Sequence, residues 1–145
     1  MIPRPVVGAA VPHESALLHV AGTAPYTDDL PEVAGTLHAA LGLSPLAHGK
    51  LKSIDLERLA AQPGVVAVIT ARDIPGPNDC GALVHDDPIL ADGEVRYVGQ
   101  PVFAVIAATR DQARRAAALA PQVLGLEPLP AQLSPAAARQ ALGPR

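Results

Sequence analysis

The sequence predicts an α+β domain with a mixed β-sheet and short flanking helices, preceded by an extended N-terminal arm. Three observations lead there. Segments with period-two or continuous β-branched character, KLKSIDL (50–56), VVAVIT (65–70) and VFAVIAA (102–108), ask for strands. Short stretches behind hydroxyl or carboxylate caps, such as the alanine-rich run after Thr109, ask for helices. Helices and strands alternate only in part, which reads as α+β with a mixed sheet. The organisation expected is an arm over residues 1–34, a domain over 35–133 and a helical tail over 134–145.

The arm carries prolines at 3, 5, 12, 25 and 31 and no sustained period, the pattern of extended chain laid on another surface. GTLHAALGL (35–43) reads as a strand that Ser44-Pro45 ends, because proline lacks a ladder donor and pushes its predecessor out of the helical region. Lys50 opens the alternating strand. Asp55 caps a short helix over 56–62, and Pro63-Gly64 closes it. VVAVIT follows as a strand covered on both faces, so that strand, helix and strand together read as a crossover unit.

Thr70 and Asp73 have cap spacing and lead into a loop over 76–88 rich in Gly, Pro, Asn and Asp, a length usually kept for function or motion. Residues 94–98 alternate as a strand, and Gly99-Gln100-Pro101 introduces the strongest strand, 102–108. Thr109 and Gln112 have capping-box spacing ahead of a helix to about Leu119. A last strand is expected over 122–126, weakened by Gly125, and Ser134-Pro135 starts a terminal helix over 136–142.

Composition narrows the functions. The 145 residues suit one domain, and with 2% aromatic residues its core is built from Ala, Val, Leu and Ile. A net charge of −3 without basic blocks or base-stacking aromatics argues against nucleic acid and against an anionic membrane surface. No apolar run approaches the ~20 residues of a membrane span. The lone Cys80 has no intramolecular disulfide partner and the N-terminus lacks a signal-peptide pattern, which points to the cytoplasm.

The reactive residue types fail the tests of spacing. His13-Glu14 and His19 stand six apart rather than four, so they do not form a metalloprotease face. His38 and His48 are isolated imidazoles. His85-Asp86-Asp87 is the most reactive-looking cluster, yet neighbours in an extended loop point different ways, and Asp28-Asp29 has the same limitation. No serine sits in a G-x-S-x-G elbow, no phosphate loop follows a strand, and nothing around Cys80 suggests activation. No catalytic, cofactor-binding or metal-ligating residue is assigned.

Longer stretches nevertheless share a recognisable pattern: HESALLHVAGTAPYTDDLP (13–31), GTLHAALGLSPLAHGKLKSID (35–55), PGVVAVITARDIPGPND (63–79), VHDDPILADGEVRYVGQPVFAVIAAT (84–109) and EPLP (127–130). From about Val7 to Leu133 the chain resembles the N-terminal α/β hammerhead domain of the molybdopterin-binding subunit of bacterial xanthine dehydrogenase, in the xanthine dehydrogenase and aldehyde oxidase family. The resemblance implies part of an oxidoreductase that hydroxylates a purine carbon with oxygen from water. Electrons would pass from molybdopterin-molybdenum through 2Fe-2S clusters to FAD and then NAD. Its partners would be the remaining molybdenum-binding region and the iron–sulfur/FAD subunit.

The family's catalytic and cofactor residues follow the hammerhead, so the isolated chain is expected to be inactive and to bind no cofactor. The resemblance transfers one site, the substrate-channel wall, to Leu83 and Val84. The tail, ending in Gly143-Pro144-Arg145, reads as truncated relative to the family. The alternative function is a free-standing or remnant interaction module that retains the fold without oxidoreductase activity.

Overall fold

The computed structural model describes residues 7–142. Pro3, Pro5 and the Gly143-Pro144-Arg145 ending therefore lie outside the described residues. The chain divides into two compact units, Met1–Ala34 and Gly35–Arg145.

The first unit is not wholly extended, contrary to the sequence expectation. It holds a five-residue helix α1 (Ala16–Val20) and a 3-10 turn (Thr27–Asp29), where the Tyr26 amide donates to Asp29 Oδ2 at 2.9 Å. The His19 and Tyr26 rings meet edge-on with centroids 5.9 Å apart. None of its described residues is buried.

The second unit is α+β, as the sequence predicts, but its strands make two antiparallel sheets instead of one mixed sheet. Its strands are β1 (His38–Leu43), β2 (Gly49–Ile54), β3 (Val65–Thr70), β4 (Glu94–Val95), β5 (Pro101–Ala107) and β6 (Leu124–Pro128). Its helices are α2 (Leu56–Ala60), α3 (Arg110–Ala117), α4 (Ala120–Val123) and α5 (Pro135–Leu142). One sheet runs β1-β5-β3 and the other β4-β2-β6, with every pairing antiparallel. The β2-α2-β3 run consequently carries the chain from one sheet to the other and is no crossover within a sheet.

The caps read from sequence are present where local chemistry decides. Asp55 accepts from the Arg58 amide at 3.0 Å, Thr109 Oγ1 from the Gln112 amide at 3.2 Å and Ser134 Oγ from the Ala137 amide at 3.2 Å. The Asp73 carboxylate accepts from the Thr70 amide and hydroxyl at 2.7 and 2.8 Å. These bonds, the amide first, hold its pKa below the usual value. Gln112 returns no bond to its own cap. Its Oε1 is buried without a hydrogen-bond partner, and the amide lies against Gly64, whose φ of 78° and missing Cβ leave the room.

Three strand expectations are corrected. VVAVIT forms an edge strand with a bulge at Val66, which is exposed, and is not a strand covered on both faces. The 94–98 strand shrinks to two residues, because the Arg96 amide is taken by the buried Gln100 side chain at 2.7 Å and the chain turns. Residues 120–123 are helical, with Pro121 tolerated in the first turn, and the strand begins only at Leu124.

One core lies between the sheets. β5 supplies fully buried Val102, Phe103, Val105 and Ala107, while α3 presents Ala113, Ala116 and Ala117, whose small side chains admit a close approach to the sheet. Leu59, Val95 and Val123 close the core from α2, β4 and α4. Gly42 stands opposite Phe103 in the register, and a Cβ there would fall inside the ring. Gly125 likewise faces Ser53 where β2 and β6 slip register, leaving space for the Ser53 hydroxyl.

Because the Phe103 ring is enclosed on all sides, Gly42→Ala should overpack the core and cost about 1–3 kcal/mol in denaturant unfolding. An unchanged midpoint would show that the ring can yield.

Candidate functional site

The most distinctive feature of the second unit is the irregular chain between Ile74 and β4. Asn78 closes its neck with both ends of the side-chain amide: Nδ2 donates to the Leu90 carbonyl at 2.7 Å, and Oδ1 accepts from the Leu90 amide at 3.0 Å. Asparagine suits this post because its short side chain presents a donor and an acceptor in one plane, as a strand neighbour does. Leu90 and Ala91 are buried, so the neck is anchored in the core, and the Ala91 amide donates to the Pro101 carbonyl at 2.8 Å.

A second ring sits inside the first. Asp79 Oδ1 accepts from the amides of Gly81 at 3.0 Å and Asp87 at 3.2 Å, and Oδ2 meets His85 Nδ1 at 2.5 Å. The Cys80 amide donates to the Asp87 carbonyl at 2.9 Å, and its thiol reaches the same oxygen at 3.3 Å. The Asp79 pKa is lowered first by the Gly81 amide and further by His85 and the Asp87 amide. Partial desolvation and the Asp87 and Asp79 carboxylates push the Cys80 thiol up, the opposite of an activated nucleophile.

Leu83 and Val84 stand at the tip of this loop, 95% and 66% exposed. Beside the loop lies a cavity of ≈ 340 Å³ lined by Asp79, Asp86, Asp87, Asp92 and Glu94, with His85 and Arg96 as its basic groups. Glu94 is bound by His48 Nε2 at 3.0 Å and approached by Arg96 Nε at 3.5 Å, which together lower its pKa, the His48 bond most.

The structure separates the residues that looked reactive in sequence. His13 pairs with Ser15 at 2.9 Å and His19 with Tyr26, both in the first unit. His48 binds Glu94, and His85 turns away from its sequence neighbours to Asp79. Among the described residues no group of three or more His, Cys, Asp or Glu is placed to hold a metal ion. The roles of Asn78, Asp79 and Gln100 were missed from sequence. Their only local signal was an Asx-rich loop, and the partners of Asn78 lie twelve residues on.

Two antiparallel sheets around one core, with a necked loop that carries an apolar tip, define the class of module. Residues 21–123 match the family described as "Aldehyde oxidase and xanthine dehydrogenase, a/b hammerhead domain", and the chain belongs to that family. It is 46% identical over 111 residues to a xanthine dehydrogenase of Oryza sativa subsp. japonica and 44% over 114 residues to an aldehyde oxidase 2 of Cavia porcellus. These matches take 77% and 79% of this chain but 8% of each relative.

Among solved structures, the aldehyde oxidoreductase of Desulfovibrio gigas is similar with 35% identity and a TM-score of 0.72, over 88% of this chain and 15% of that one. The CO dehydrogenase of Oligotropha carboxidovorans is similar with 32% identity and a TM-score of 0.72, over 88% and 16%. The chain therefore spans less than a tenth of the curated relatives it matches. It is the hammerhead domain type of larger oxidoreductases. Among the described residues no helix is long and apolar enough to cross a membrane.

The cofactors implied for the full enzyme do not fit the residues present. A 2Fe-2S cluster takes four thiolates and the chain has one cysteine. The polar cavity is ringed by carboxylates, the wrong sign for the phosphate of a pterin or a flavin.

Removing the Asn78 amide leaves both Leu90 backbone groups unpaired. Asn78→Ala should raise hydrogen exchange and proteolytic nicking across residues 79–89 while sparing β5 and α3, at a cost of about 1–3 kcal/mol. Equal protection in the loop would refute the neck. For Asp79 the folded pKa lies below 3.8, so its contribution is complete above that value and is lost as the pH falls through the folded one. Protection of the Gly81 and Asp87 amides, taken relative to the intrinsic exchange rate at each pH, should fall only on that acid side.

Proposed function

We propose that this chain acts as the hammerhead portion of a molybdenum-containing xanthine dehydrogenase, an enzyme that hydroxylates purine with water as the oxygen source. Its part is structural and channel-shaping: it supplies packing surface and an apolar wall, and the catalytic residues and cofactors belong to its partners. Those partners are the remaining molybdenum-binding region and an iron–sulfur/FAD subunit. A cytoplasmic setting fits a chain with a single, unpaired cysteine.

The observation that carries this reading is exposed apolar surface on a domain whose core is already complete. Leu41 and Leu43 of β1, Val66 of β3, Tyr97, Val98, Leu83 and Val84 all stand in solvent. A shallow apolar cavity of ≈ 590 Å³ runs between β1 and the end of α3, past Leu41, Leu43, Ala118 and Pro121. A self-contained module has little reason to leave so many large side chains uncovered, whereas a domain of a larger enzyme covers them with its neighbours. Leu83 and Val84 supply the channel wall because their loop is anchored at the neck and apolar at the tip.

Xanthine oxidation should be absent from the purified chain and present after mixing with the separately produced downstream molybdenum region and iron–sulfur/flavin subunit. Failure of the mixture to assemble or turn over would favour the free-standing interaction module. In an active mixture, Leu83→Ala should change kcat/KM for purines by about 10–200-fold, the scale of a hydrophobic pocket contact. Unchanged kinetics for every purine would remove Leu83 from the wall.

A further inference from the structure

The loop tip has no packing of its own to hold it, since Leu83 is 95% exposed and residues 76–93 contain neither helix nor strand. Its position depends on what closes the chain beneath it. Asn78 closes the outer ring at Leu90, which leaves an eleven-residue excursion between them. Asp79 closes the inner ring, and it does so with three bonds from one carboxylate whose side chain is 15% exposed.

The inner ring runs from Asp79 to Asp87 and contains only the turn that bears Leu83 and Val84. Within it Gly81 is pressed against the Val84 carbonyl, where a Cβ would collide, so the turn is tight as well as closed. A carboxylate is the group the geometry asks for. It accepts two amides on one oxygen and an imidazole on the other, which the single carbonyl oxygen of an amide side chain does not reproduce.

We propose that Asp79 is a positioning residue that sets the substrate selectivity of the site facing this loop, acting through the placement of Leu83 and Val84. The proposal rests on the reading of that tip as channel wall. An apolar wall discriminates substrates by where its methyl groups stand, and a displacement of about 1 Å is enough to change the fit. Freed from Asp79, the loop would still be tethered by Asn78 at its neck and by the Cys80 amide on the Asp87 carbonyl, but Gly81 and His85, which lead into and out of the tip, would lose their anchor and the tip would shift.

Two variants and two readouts test this. Asp79→Ala removes all three bonds, and Asp79→Asn keeps one carbonyl oxygen for the Gly81 and Asp87 amides. In the chain alone, amide exchange at Gly81 and Asp87 should rise strongly in Asp79→Ala and less in Asp79→Asn, with β5 and α3 unaffected. In the active mixture with the downstream region and the iron–sulfur/flavin subunit, the ratio of kcat/KM between xanthine and a bulkier N-alkylated purine should shift by about tenfold in Asp79→Ala. The change should fall on KM more than on kcat, and Asp79→Asn, which keeps the acceptor for the two amides but loses the carboxylate facing His85, should show a smaller shift in the same direction.

Unaltered exchange in both variants would overturn the clasp. Faster exchange with an unaltered selectivity ratio would make Asp79 purely structural and overturn the positioning role. A wild-type mixture that forms but shows no purine oxidation would instead overturn the channel reading, and the proposal with it.

Discussion

The fold depends on burying β5 from both sides. In a chain with one phenylalanine, that strand places Phe103 where the register sets it opposite Gly42, and the ring fills the space that a side chain at 42 would have taken. β5 also pairs with β1 on one edge and β3 on the other along Phe103–Ala107, and at its start the Pro101 carbonyl accepts from the Ala91 amide. The alanines of α3 then bring that helix onto β1 and β5, and the remaining aliphatic side chains close the space between the two sheets. Dense packing of small groups replaces the large aromatic area that other cores use.

The same scaffold explains why the loop after Ile74 can be both irregular and placed. Its two ends are tied down, to the core through Leu90 and Ala91 on one side and to the end of β3 through the Thr70–Asp73 cap on the other. Between those anchors the backbone finds its partners in side chains, chiefly Asn78 and Asp79, because no strand lies alongside to supply them. Buried polar residues do similar service elsewhere. Ser44 and Gln100 bind across the two turns that lead out of β1 and into β5, with the Ser44 amide on the Gln100 carbonyl at 2.9 Å. The polar contacts thus position segments, while the apolar ones hold the domain together.

A domain built this way suits a role inside a larger oxidoreductase. The curated relatives are more than ten times the length of the matched stretch, and among the described residues of this chain no group of three or more His, Cys, Asp or Glu is placed to hold a metal ion. What it offers instead is surface: an exposed apolar face beside β1 and a tethered apolar tip.

Local chemistry was legible in the sequence. The caps at Asp55, Thr70–Asp73, Thr109 and Ser134 and the strands around β1, β2 and β5 are decided by residues within four positions of one another, or by a simple period, and the long loop after Ile74 is marked by its composition. The family was legible too, because its motifs run in order along nearly the whole chain. The tertiary structure decided what depends on partners far along the chain. It made VVAVIT an edge strand, since β-branched composition reports strand preference and not which neighbours arrive. It cut the strand at 94 short because a glutamine at 100 captures its next amide, and it turned 120–123 into helix because α3 runs on into it. It also gave His85 to Asp79 in place of its adjacent aspartates, since neighbouring side chains in extended chain diverge while a closed turn brings distant ones together.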